Sequence, residues 1–96
     1  MRSFYVRLCD VPIIGCSFNG QLTLSRETFH FHMPMFKLLI PIDIYINCRE
    51  IVDLYKCSYL LFFDSVGVRT VNGATYKFCS LSDIHEIFET MKRSLL

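Results

Sequence analysis

Residues 20 to 32, GQLTLSRETFHFH, place His30 and His32 two apart in an alternating stretch, so both imidazoles face the same side of a strand. Paired imidazoles at that spacing are a metal-ligand arrangement, but a zinc site takes three or four protein ligands. Cys48, Cys57 and Cys79 are the other available donors, and none stands at a spacing that marks a site. The pair therefore reads as two histidines on the wet face of a hairpin, with no metal and no cofactor assigned. Protonation below about pH 6.5 would make that face more basic and more attractive to anionic lipid.

Other chemistry is weaker still. A cysteine–histidine nucleophile pair exists on paper, yet no thiol lies at an evident helix N-terminus or in a glycine-bearing signature that would lower its pKa. Asp43, Glu50, Asp53 and Asp64 fall at strand ends and turns, where carboxylates normally meet water. Four glycines form no phosphate-cradling loop. The reading assigns no catalytic residue, and the chain is not read as an enzyme.

Binding is what the charges leave open. Arg26, Lys37, Arg49, Arg69 and Lys77 lie in a turn or opposite apolar strand positions, as residues for lipid binding. Each contributes about 1 kcal/mol near an anionic membrane. A total of ~4 kcal/mol corresponds only to roughly millimolar binding. Recruitment would need a shaped headgroup pocket, avidity, or apolar insertion by Met33, Met35 and Phe36 of the HMPMF segment. The opposing reading, a dispersed solvated surface, carries equal weight. Net charge is +1 and the ten Lys/Arg are scattered, which argues against a nucleic-acid partner because no basic stripe exists to displace counterions.

Positioning these residues falls to one domain. Ninety-six residues allow a single core, and 52% hydrophobic content excludes a disordered chain. The five cysteines, odd in number and without a C-x-x-C pair, read as free thiols of a soluble protein in a reducing compartment. Arg7 and Asp10 interrupt the first apolar stretch, so no signal core forms, and no run approaches the ~20 apolar residues of a membrane span.

Period-two alternation dominates: Leu22 and Leu24, Phe29 and Phe31, the isoleucines 42, 44 and 46, Tyr76 and Phe78. Such patterning predicts antiparallel strands with one packed face. Asn19-Gly20, Ser25 to Glu27, Asp64 to Gly67 and Asn72-Gly73 read as turns, the last as a hairpin. Tyr59 to Phe63, YLLFF, reads as a strand covered on both faces, and the segment CREIVDLYKCS before it as a loop. The tail changes period. Ile84, Ile87, Phe88, Met91 and Leu95 share one helical face, with Ser82 as N-cap and Lys92 and Arg93 in the last turn. The expected architecture is mainly β with one C-terminal α-helix, a PH-like barrel of about seven antiparallel strands capped by that helix.

These segments resemble a family. FNGQLTLSRETFHFH is similar to the opening hairpin of GRAM domains, KLLIPIDIYINCRE (residues 37 to 50) to their next segment, and TYKFCSLSDIHEIFETM (residues 75 to 91) to their aromatic strand, serine-rich corner and closing helix. The resemblance implies a single PH/GRAM-like domain over 1–96, its core at about 15–95. It implies a non-catalytic module that recruits a protein or complex to an intracellular membrane through acidic lipids such as phosphoinositides. The alternative is the same fold used for a protein partner, through an edge strand or the groove beside the helix. A homodimer through an edge strand is open on the same grounds. The location expected is cytoplasmic, peripheral to a membrane.

Overall fold

A computed structural model describes residues 2–9, 18–33, 41–59, 63–80 and 83–96. Alternating apolar residues build seven strands: β1 (Arg2–Cys9), β2 (Phe18–Leu24), β3 (Thr28–Met33), β4 (Ile42–Asn47), β5 (Ile51–Tyr59), β6 (Phe63–Thr70) and β7 (Thr75–Cys79). A 3-10 turn, Cys48–Glu50, joins β4 to β5, and α1 (Ile84–Leu95) follows β7. All seven strands pair antiparallel in one sheet of order β4-β3-β2-β1-β7-β6-β5. The outermost strands, β4 and β5, are thus linked by only three residues, so the sheet must curl until its two ends approach at that corner. No ladder pairs β4 with β5 among the described residues, and the sheet is open.

Inside the curl lies the core. Phe4, Val6 and Leu8 of β1 meet Leu22, Phe29 and Phe31 on one side and Val66, Val68 and Phe78 on the other. Ile84, Ile87 and Met91 of α1 complete it, as the tail's period requires. The helix caps on Asp83, without a side-chain cap bond; the expected cap, Ser82, lies outside the described residues. Among the described residues, no helix is long and apolar enough to cross a membrane.

Several expectations need correction. The core does not begin near residue 15, because β1 sits at the middle of the sheet. The segment read as a loop, CREIVDLYKCS, is the 3-10 turn plus most of β5. A register shift between Ile51 and Asp53 breaks the alternation that would have announced the strand. YLLFF is not one strand's interior: Tyr59 ends β5 and Phe63 opens β6, opposite one another in the ladder, and residues 60 to 62 lie outside the described residues.

Two of the presumed turn glycines are seats for aromatic rings. A Cβ at Gly20, inside β2, would meet the Phe31 ring at 2.7 Å and the His32 carbonyl oxygen at 2.5 Å. One at Gly67, inside β6, would run into the ring of Tyr55, its partner across the ladder. Of the Asn72-Gly73 hairpin, by contrast, the expectation holds: Gly73 has φ 89°, the left-handed conformation such a turn demands. Finally, Cys9 and Cys79 are bonded as a disulfide across the β1–β7 ladder, against the reading of five free thiols. Seventy residues of sequence separate them, and only the strand register brings them together.

Candidate functional site

Three arginines converge from three elements. Arg2 opens β1, Arg26 sits in the β2–β3 turn and Arg93 lies in the last turn of α1. The turn forms because Ser25 folds over Thr28: its N–H and Oγ both donate to the Thr28 carbonyl, at 3.1 and 2.8 Å, while Thr28 N–H donates back to Ser25 Oγ at 3.2 Å. Together with Leu24, Ser25, Thr90 and Ser94, these arginines line an open cleft of about 270 Å³ between turn and helix.

Its positive potential comes from the arginines. The end of a helix carries partial negative charge on its free carbonyls, so α1 itself repels anions here. Arg2 is ion-paired with Glu86. Arg93 donates to the Glu89 carbonyl and Thr90 Oγ1, both at 3.4 Å, contacts long enough to give way to a better acceptor. Arg26 is exposed, and its guanidinium makes no hydrogen bond or ion pair among the described residues. The cleft therefore offers one free and one loosely held guanidinium, each a planar fork suited to phosphate or carboxylate.

Of the residues expected to bind lipid, only Arg26 lines this cleft. Arg49 is exposed on the neighbouring 3-10 turn, which is tied to the β2–β3 turn by Cys48 N–H donating to the Glu27 carbonyl at 2.9 Å. Arg69 and Lys77 share the outward face of β6 and β7, where Arg69 pairs with Asp53 at 3.3 Å. Among the described residues, Arg49, Arg69 and Lys77 thus do not line the cleft that Arg26 joins. Lys37, Met35 and Phe36 lie outside the described residues, and Met33, expected at a contact tip, ends β3 packed against the core. Arg2 and Arg93 were missed. Arg93 had been explained by the helix end, and Arg2 precedes the segment taken as core.

A second cluster occupies the outward face of β3 and β4. His30 Nε2 and His32 Nδ1 each lie 2.7 Å from Asp43 Oδ1. In the β3–β4 register, His32 stands opposite Asp43 and His30 opposite Tyr45. The His30 and Tyr45 rings stack at 4.2 Å, parallel to within 2°. The two imidazoles, His30's hydrogen bond first, hold the Asp43 carboxyl below its ordinary 3.8. A carboxyl depressed in the folded state adds stability above pH 3.8 and loses it as pH falls through the lower folded value. Asp43→Asn removes that contribution. The gap in urea midpoint between wild type and variant should thus be full at pH 6 and narrow steadily as pH falls below 3.8; a gap that stays equal throughout would refute the linkage.

Burial pushes the Cys48 thiol up, away from the thiolate a nucleophile needs. Cys79 is consumed by its disulfide.

No family model and no curated protein matches this sequence. Among solved structures, the fold is similar to the crystal structure of the C-terminal domain of an unknown protein from Leishmania infantum. The TM-score is 0.81 at 14% identity, covering 99% of this chain and 82% of that one. That likeness is one of fold alone.

Proposed function

We propose that the chain is a PH/GRAM-like, non-catalytic binding domain whose arginine cleft takes the phosphate of an acidic membrane lipid. The fold part of this reading rests on strand order. A four-strand meander and a three-strand meander meet at β1 and β7, and a C-terminal helix closes the core. The functional part rests on one observation: Arg2, Arg26 and Arg93, distant in sequence, line one cleft together with the hydroxyls of Ser25 and Ser94.

Magnitude sets how it must work. Three arginines at about 1 kcal/mol each give ~3 kcal/mol, weaker than millimolar on their own. Useful affinity requires the bidentate hydrogen bonds that a phosphate seated in the cleft would accept, or several copies on one surface. Co-sedimentation with vesicles containing phosphatidylserine and phosphoinositide should exceed that with neutral vesicles and fade as salt rises. The double variant R26Q/R93Q should bind about thirtyfold more weakly, the equivalent of losing two arginines' worth of attraction. Equal sedimentation with neutral vesicles would overturn the lipid reading.

The second reading, a protein partner, draws on the sheet's open edges. Val52 on β5 is 57% exposed and Tyr45 on β4 is 67% exposed. Among the described residues neither strand has a ladder partner on its outer side, which leaves backbone for an added strand, from another protein or a second copy of this chain.

A further inference from the structure

We infer that His30, His32 and Asp43 form a binding site for a divalent transition-metal ion of the zinc type. The sequence alone left the histidine pair two ligands short, with no way to find a third. Strand register supplies it. Alternation puts both imidazoles on the outward face of β3, and the β3–β4 ladder sets Asp43 directly opposite His32. The three donor atoms lie within 4.8 Å of one another.

Geometry and donor chemistry agree. Metal–nitrogen and metal–oxygen bonds of about 2.0–2.2 Å place tetrahedral ligand atoms roughly 3.3 Å apart. The present 2.7 Å separations from Asp43 Oδ1 need to open by only about half an ångström, within reach of small side-chain rotations. Two imidazoles and one carboxylate form an N2O set, suited to zinc, cobalt, nickel or copper(II) and not to magnesium or calcium, which take oxygen ligands. All three side chains are part-exposed, at 30, 42 and 35%, so water can complete the coordination. The Tyr45 ring stacked on His30 fixes that imidazole's plane.

Proton bookkeeping is simple. In the metal-free state each neutral ring donates its one N–H to Asp43, from His30 Nε2 and His32 Nδ1. On binding, each ring carries its proton on the other nitrogen, Nδ1 of His30 and Nε2 of His32, and gives the freed lone pair to the metal. Acid competes with the metal for those lone pairs.

The test titrates the whole chain with zinc chloride by calorimetry and with cobalt(II) by its visible ligand-field absorption. One ion per chain is expected. H32Q and D43N should each weaken binding at least tenfold, since loss of even an outer-shell partner costs 10–100-fold. C48S/C57S should retain it, which separates this site from incidental thiol binding. Both ligand variants change outward-facing side chains, and far-ultraviolet circular dichroism confirms that they fold. No stoichiometric binding by the wild-type chain would overturn the inference. Binding that survives H32Q and D43N, or disappears in C48S/C57S, would do the same.

Discussion

Ile87→Asp should leave the domain largely unfolded at 25 °C. Ile87 is 0% exposed, at the centre of the helix face that closes the core. A carboxylate there must either ionise in an apolar site or take up a proton, and buried carboxyls move their pKa by 3–5 units. At pH 7 the cost is capped by protonation, about 3 units above the free carboxyl or ~4 kcal/mol at 1.36 kcal/mol per unit, before ~2–3 kcal/mol for the lost isoleucine burial. The sum rivals the ~5–15 kcal/mol that holds a typical domain together. His85→Asp is the control. It introduces the same group two residues away, on an exposed first turn where negative charge suits the helix dipole, and should shift stability by less than about 0.5 kcal/mol. Circular dichroism melts of both variants decide the matter. A folded Ile87→Asp with near-native melting would mean that the helix does not close the core.

Phe31→Ala should cost about 3–5 kcal/mol, through lost transfer energy and the cavity left behind. Phe31 is 1% exposed, lies over the notch left by Gly20 and tilts against Phe78 with ring centroids 5.9 Å apart. At roughly 4–8 °C per kcal/mol for a domain of this size, the melting temperature should fall by more than about 12 °C. Because the two rings touch, Phe31→Ala and Phe78→Ala together should cost less than the sum of the singles, by about 0.5–1.5 kcal/mol. Strict additivity would show that the ring pair contributes nothing beyond its burial.

Legibility tracked the range of the interaction responsible. The helix could be read because its signal is local: apolar residues at one period, of which Ile84, Ile87 and Met91 are buried and Phe88 packs against the core, while Leu95 at the last turn is exposed. The strands of β2, β3, β4 and β7 were legible for the same reason. Gly20 and Gly67 misled because a glycine in isolation signals a turn, whereas here each makes room for a ring contributed by another strand. β5 was hidden by its register shift. The sites were less legible than the fold. Arg2 lies far in sequence from Arg93, and their meeting depends on the helix docking back near the start of β1. Asp43 and Tyr45 alternate as His30 and His32 do, a pattern visible in the sequence, but only the ladder register turns two patterns into one cluster.

The sheet order also governs how the chain can assemble. β1 to β4 form one meander of sequence-adjacent strands and β5 to β7 another, so most pairing is short-range. The exception is the seam between β1 and β7, three register pairs long, at Arg7–Cys79, Leu8–Phe78 and Cys9–Lys77. Closing it joins residues some 70 apart, at an entropic cost on the order of 4 kcal/mol from chain length alone. The two halves can thus zip independently and early, while their union carries nearly all of the topological delay. The crosslink between Cys9 and Cys79 is placed at that seam, where a covalent tie spares the denatured chain the longest search in the molecule.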